Sequence, residues 1–152
     1  MSKTKIYFIE LQIRNKVKLV CDLVEKLYND KLTTAIYCQN KGQANLLDKS
    51  LWTWKQETFI PHLILTEAKE KIDEPAVIAF DKTILPKYDV LVLFNHLPYD
   101  MFGSFKCVID FAEVYDKDKL RDSRSRYKTI RDTDKFHLEF IKFGAFLHEK
   151  LV

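Results

Sequence analysis

The stretch Asp89–Phe94 reads DVLVLF, and its pattern decides the fold. Val90, Leu91, Val92 and Leu93 form an apolar run without polar alternation, so both faces of the strand must be buried, as in the centre of a sheet covered by helices. Upstream, Ala76–Phe80 has the same character, Leu63–Leu65 is a shorter strand-like piece, and Pro75 and Pro86 punctuate the segment. Downstream, Phe105–Val114 and Phe136–Phe143 read as further strands. At the N-terminus, Thr4–Leu11 is rich in β-branched and aromatic residues and reads as a strand. Asn15 is placed to cap a helix with Val17, Val20, Cys21, Val24, Leu27 and Tyr28 on one face, broken at Asn29-Asp30-Lys31. Thr33–Cys38 is the next strand, and Lys41–Trp52 returns to helical spacing with Ala44, Leu47 and Leu51 on one side. Strand, helix, strand, helix in this order builds a parallel βαβ unit with a right-handed crossover. The fold class is α/β: a Rossmann-like mixed, mostly parallel sheet with helices on both faces.

With 152 residues and 47% hydrophobic content, the chain can bury a core without disulfides or metals. We read residues 1–143 as a single domain and 144–152 as a tail or short helix. Cys21, Cys38 and Cys107 are odd in number and lack metal-ligand spacing, which indicates a reducing compartment. The N-terminus has no signal-peptide pattern and no stretch approaches a membrane span, so a cytoplasmic protein without a membrane partner is expected.

The charge imbalance is local. Asp116–Lys135, DKDKLRDSRSRYKTIRDTDK, holds eight of the 25 Lys and Arg against five Asp, a surplus equal to the whole-chain net charge of +3. Read as a helix, Arg121, Arg124, Lys128 and Arg131 form a basic stripe, with Leu120, Ser123, Tyr127 and Ile130 beside it. A ring next to guanidinium groups suits a ligand that is both acidic and apolar. A solvated helix face is the plainer reading of such a run.

Catalytic signatures are weak. Only Gly42, Gly103 and Gly144 are present, so neither GxGxxG nor a Walker-type loop exists and no nucleotide cofactor is implied. His62, His96, His137 and His148 form no metal-binding pair. Cys38 lies at the carboxyl end of a strand and His96 follows the strand Asp89–Phe94, so a nucleophile pair is conceivable, but nothing fixes their separation. Asp110 and Glu113 could share a site only if their segment is not a regular strand.

Two motifs carry a family resemblance. Gln43–His62, QANLLDKSLWTWKQETFIPH, and Val108–Phe111, VIDF, followed by Arg124–Arg131, RSRYKTIR, resemble in order and spacing the chi subunit family of bacterial DNA polymerase III holoenzyme. The resemblance spans roughly residues 4–143. It implies a non-catalytic accessory subunit of the clamp-loader assembly that pairs with the psi subunit, grips the acidic C-terminal tail of single-stranded-DNA-binding protein and meets DNA only indirectly. It further implies that the tail is held by Arg124, Tyr127, Lys128 and Arg131, with Lys119 and Leu120 beside them, the tail's carboxylates meeting the cations and its terminal Phe an apolar recess. Trp52, Phe59 and Pro61 would engage psi or, in some members, a helicase-like repair protein. On residues alone, Trp52 and Phe59 could equally close into the core. The alternative function is direct binding of single-stranded nucleic acid by the basic helix, with Tyr127 stacking a base.

Overall fold

A computed structural model describes residues 3–55 and 57–151. Gln56, inside the expected connection Trp54–Pro61, and Val152, the last residue of the expected tail, lie outside the described residues. The strands are β1 (Lys5–Leu11), β2 (Thr34–Tyr37), β3 (His62–Leu65), β4 (Ala76–Ala79), β5 (Val90–Leu93), β6 (Cys107–Glu113) and β7 (His137–Lys142). The helices are α1 (Lys16–Asn29), α2 (Lys41–Thr53), α3 (Lys117–Thr133) and α4 (Phe143–Phe146). The strands form one sheet in the order β3-β4-β2-β5-β6-β1-β7. All six pairings are parallel, so the Rossmann-like α/β expectation holds and the sheet is more uniform than a mixed one.

The DVLVLF run sits where its pattern requires. β5 lies at the centre of the sheet, and its side chains divide strictly by parity. Val90 and Val92 enter the core beneath α1 and α2, whereas Leu91 and Leu93 enter the core on the opposite face, with Ile130 of α3. The same alternation places Tyr7, Ile9 and Leu11 of β1 with α1, and Ile6 and Phe8 with α3. Period-2 strands buried on both faces are what a parallel sheet between helix layers demands.

The helix α1 buries Val20, Cys21, Val24 and Leu27 as its spacing predicts, but Tyr28 at its last turn is exposed. Asn15 occupies the N-cap position without a capping bond from its side chain. Its backbone (φ −139°, ψ 50°) departs from the extended geometry of Asn40 and Asp116, whose side chains do cap α2 and α3. Chain reversal after α1 places Lys31 at φ 63°, with the Leu32 amide donating to the Leu27 carbonyl. After β7 the chain forms α4, whose Phe146 is fully buried and meets Tyr7 edge-on at 5.1 Å. No described helix is long and apolar enough to cross a membrane.

Candidate functional site

The basic helix takes the orientation its spacing dictates. On α3, Ser123 and Ile130 are buried, Leu120 and Tyr127 are half-buried, and Arg121, Arg124, Lys128 and Arg131 face solvent. Asp116 fixes the helix start by accepting hydrogen bonds from the amides of Asp118 (3.0 Å) and Lys119 (3.2 Å). Tyr127 lies edge-on to Phe8 of β1, with ring centroids 5.1 Å apart.

Beside this contact opens a recess of about 420 Å³ between α3 and β7. Phe8 and Ala112 contribute from the sheet, Leu120 and Tyr127 from the helix, and Phe140 from the edge strand. Arg124, Lys128 and Arg131 line the same recess. Among the described residues, Arg124 and Lys128 make no ion pair, and Arg131 approaches only Asp132, at 3.4 Å with both side chains more than half exposed. Such a pair is screened by water and leaves the cation available. The arrangement therefore offers an apolar hollow with three cations and one carboxylate, Glu10, on its wall, a net positive lining.

Lys119 is not part of that hollow. Its Nζ lies 3.2 Å from Glu113 and it lines a separate polar cleft at the carboxyl ends of β5 and β6. There Glu113 also accepts from Lys16 Nζ at 2.9 Å and from the Tyr115 hydroxyl. Burial alone would raise the Glu113 carboxyl, but Lys16, Tyr115 and Lys119 outweigh it and hold its pKa below the ordinary glutamate value. Burial pulls the Lys16 ammonium down, with Glu113 opposing. Asp110 is engaged just as fully: Arg126 Nε and Nη2 bind its two oxygens at 2.9 and 3.0 Å. Both carboxylates border the cleft although β6 is a strand, each consumed by cationic partners.

The aromatic connection stays on the surface. Trp52 is 50% and Phe59 63% exposed, so neither closes into the core. Among the described residues of this loop Ile60 is buried, while Trp54 packs against the core and donates its indole N–H to Asp22 at 2.9 Å. Trp52 lies 5.3 Å from Phe59 and 4.5 Å from the buried His62 ring, centroid to centroid, with Pro61 half-buried between them in sequence. His62 is fixed by the Ile60 carbonyl at 2.7 Å and by Asp48. The result is a braced, exposed aromatic patch.

The nucleophile pair has no support in the geometry. Burial raises the Cys38 thiol to about 11, and its S–H donates to the carbonyls of Asn40 and Ala79 rather than facing His96, which is exposed. Cys21 and Cys107 are likewise buried, with burial raising each to about 12.

Residues 2–135 match the family described as DNA polymerase III chi subunit, HolC. The chain belongs to the chi subunit family. It is 27% identical over 133 residues to the DNA polymerase III subunit chi of Haemophilus influenzae, covering 86% of this chain and 92% of that one. To the subunit chi of Escherichia coli it is 30% identical over 115 residues, 75% of this chain and 77% of the relative. A third subunit chi, from Pseudomonas aeruginosa, is 31% identical over 55 residues, 36% and 39% of the two chains. The family match includes α3 and the Trp52–Phe59 patch but ends before β7, so Phe140 belongs to a part of this chi chain beyond it.

The structure thus joins Arg124, Tyr127, Lys128, Arg131 and Leu120 in one recess, sets Trp52 against Phe59 in a second patch with Pro61 close by in sequence, and sets Lys119 apart from the recess. Sequence reasoning missed Arg126, Phe8 and Phe140. Arg126 is in phase with Ser123 and Ile130, the buried side of α3, and the lone acid of VIDF needed a buried cation. Nothing in sequence showed that β7 would lie beside β1.

Proposed function

We propose that this chi-family chain is a non-catalytic accessory subunit of the replicative clamp-loader complex that binds the acidic C-terminal tail of single-stranded-DNA-binding protein. The observation that carries this reading is the apolar recess beside Arg124, Lys128 and Arg131, cations with little or no internal compensation. Tail carboxylates meet these cations through charge-assisted hydrogen bonds, which give direction as well as attraction. The tail's terminal aromatic residue enters the hollow next to Leu120 and Tyr127. The exposed Trp52–Phe59 patch, with Pro61, pairs with psi and is open to a competing helicase-like repair protein, because large aromatics held rigidly at a surface are efficient anchors. Together these contacts link the replicase to coated single-stranded DNA in the cytoplasm.

The test is fluorescence anisotropy with a labelled acidic peptide ending in Asp-Phe-Pro-Phe, titrated at two salt concentrations. Saturable binding that weakens with salt is expected, because exposed charges are screened beyond a Debye length of about 10 Å at 0.1 M. Arg124→Ala should cost roughly 1 to 3 kcal/mol, the range for hydrogen bonds to charged groups. No binding at low salt, or binding of single-stranded DNA in the absence of any protein partner, would overturn the assignment in favour of another ligand.

A further inference from the structure

We propose that Phe140 on the edge strand β7 determines the specificity of the recess by packing against the terminal aromatic side chain of the acidic peptide. The inference deepens the tail-binding reading and rests on it. Phe140 lies opposite Phe8 in the β1–β7 register, so its side chain stands on the α3 side of the sheet. The two rings differ in what they already touch. Phe8 is fully buried and engaged edge-on by Tyr127, whereas Phe140 is 53% exposed and, among the described residues, pairs with no aromatic ring. Leu138, on the same face of β7, joins the core that includes Ile130, so α3 covers the beginning of the strand and leaves Phe140 uncovered at the mouth of the recess.

A large apolar ring left open beside three cations calls for a ligand that satisfies both. A carboxylate alone would meet Arg124, Lys128 and Arg131 and leave the hollow empty, and an uncharged apolar group would leave the cations unused. An acidic peptide with an aromatic residue at its end does both, its charged body along α3 and its last ring between the helix and β7. Because Phe140 carries no charge, it contributes to the choice of side chain and not to the attraction of the acidic run.

The experiment uses the full chain and two labelled acidic peptides, one ending in Phe and one identical but ending in Ala. Phe140→Ala should weaken binding of the Phe-ended peptide about tenfold, the scale of a lost aromatic pair together with its buried area. Binding of the Ala-ended peptide should be equal for wild type and variant, and the salt dependence should not change. Phe140→Tyr keeps the ring and should restore the preference, with circular dichroism confirming the fold of each variant. If wild type binds neither peptide, the tail-binding reading fails and this inference with it. If wild type binds but Phe140→Ala leaves the preference intact, or weakens both peptides equally, only the role of Phe140 is overturned. Oligothymidine binding with the same dependence on Phe140 would assign the ring to base stacking and overturn it as well.

Discussion

A bidentate ion pair ties the middle of the basic helix to the sheet. Asp110 lies in the VIDF strand with its side chain 5% exposed, and a carboxylate there is tolerable only because Arg126 meets both oxygens. Ser123 is too small and Ile130 too featureless to fix the rotation of α3 as a bidentate pair does. Removing one partner strands the other charge in the core. We expect Arg126→Met to destabilise the protein by about 3 to 5 kcal/mol in urea unfolding, with Asp110→Leu/Arg126→Met together costing far less than the sum of the single changes. Arg126→Lys should remain clearly destabilising, because an ammonium cannot reproduce the paired geometry. A single-variant loss below about 1 kcal/mol would show that the pair is not what anchors the helix.

At the scale of elements, Glu113 joins three pieces: the end of β6, the start of α1 through Lys16, and the start of α3 through Lys119. Its folded pKa is depressed from the ordinary 4.5, so the folded state binds its proton less readily than the unfolded chain does. The stability it contributes is therefore present above the ordinary glutamate range and lost as the pH falls through the depressed folded value. Glu113→Gln should lower stability at neutral pH and flatten the loss of stability below about pH 4.5, measured as urea midpoints across that window. An unchanged slope would mean the cluster contributes nothing to acid sensitivity. How much of this was readable beforehand divides along physical lines. The apolar parity of Val90–Leu93 and the helical spacing of Val20, Cys21, Val24 and Leu27 are local patterns, and they place β5 and α1 without ambiguity. The outward stripe Arg124, Lys128 and Arg131 follows from the same spacing. What depends on strand order was not legible: that β7 pairs with β1, that Phe140 thereby joins Tyr127 at one recess, and that Lys119 turns toward Glu113. These are contacts between residues far apart in the chain, and no periodicity encodes them.

At the scale of the whole molecule, the two proposed surfaces belong to opposite ends of the sheet. The Trp52–Phe59 patch borders β3 at one edge, and the peptide recess borders β7 at the other. Seven strands give six spacings of about 4.8 Å, which separates the edges by roughly 30 Å. Two partners at the proposed surfaces can then be held at once without collision, as the proposed linking role requires. Between the surfaces lies a continuous parallel sheet packed on both faces, and coupling across it would need an element with two arrangements that both sites bias. Equal affinity in both states shifts nothing, so independence is the expectation. Trp52→Ala/Phe59→Ala should abolish pairing with psi while leaving the affinity for the acidic peptide within about twofold of wild type. Arg124→Ala/Lys128→Ala should do the reverse, and saturating peptide should leave the psi affinity unchanged in calorimetric titration. A coupling of tenfold, about 1.4 kcal/mol, would overturn this independence.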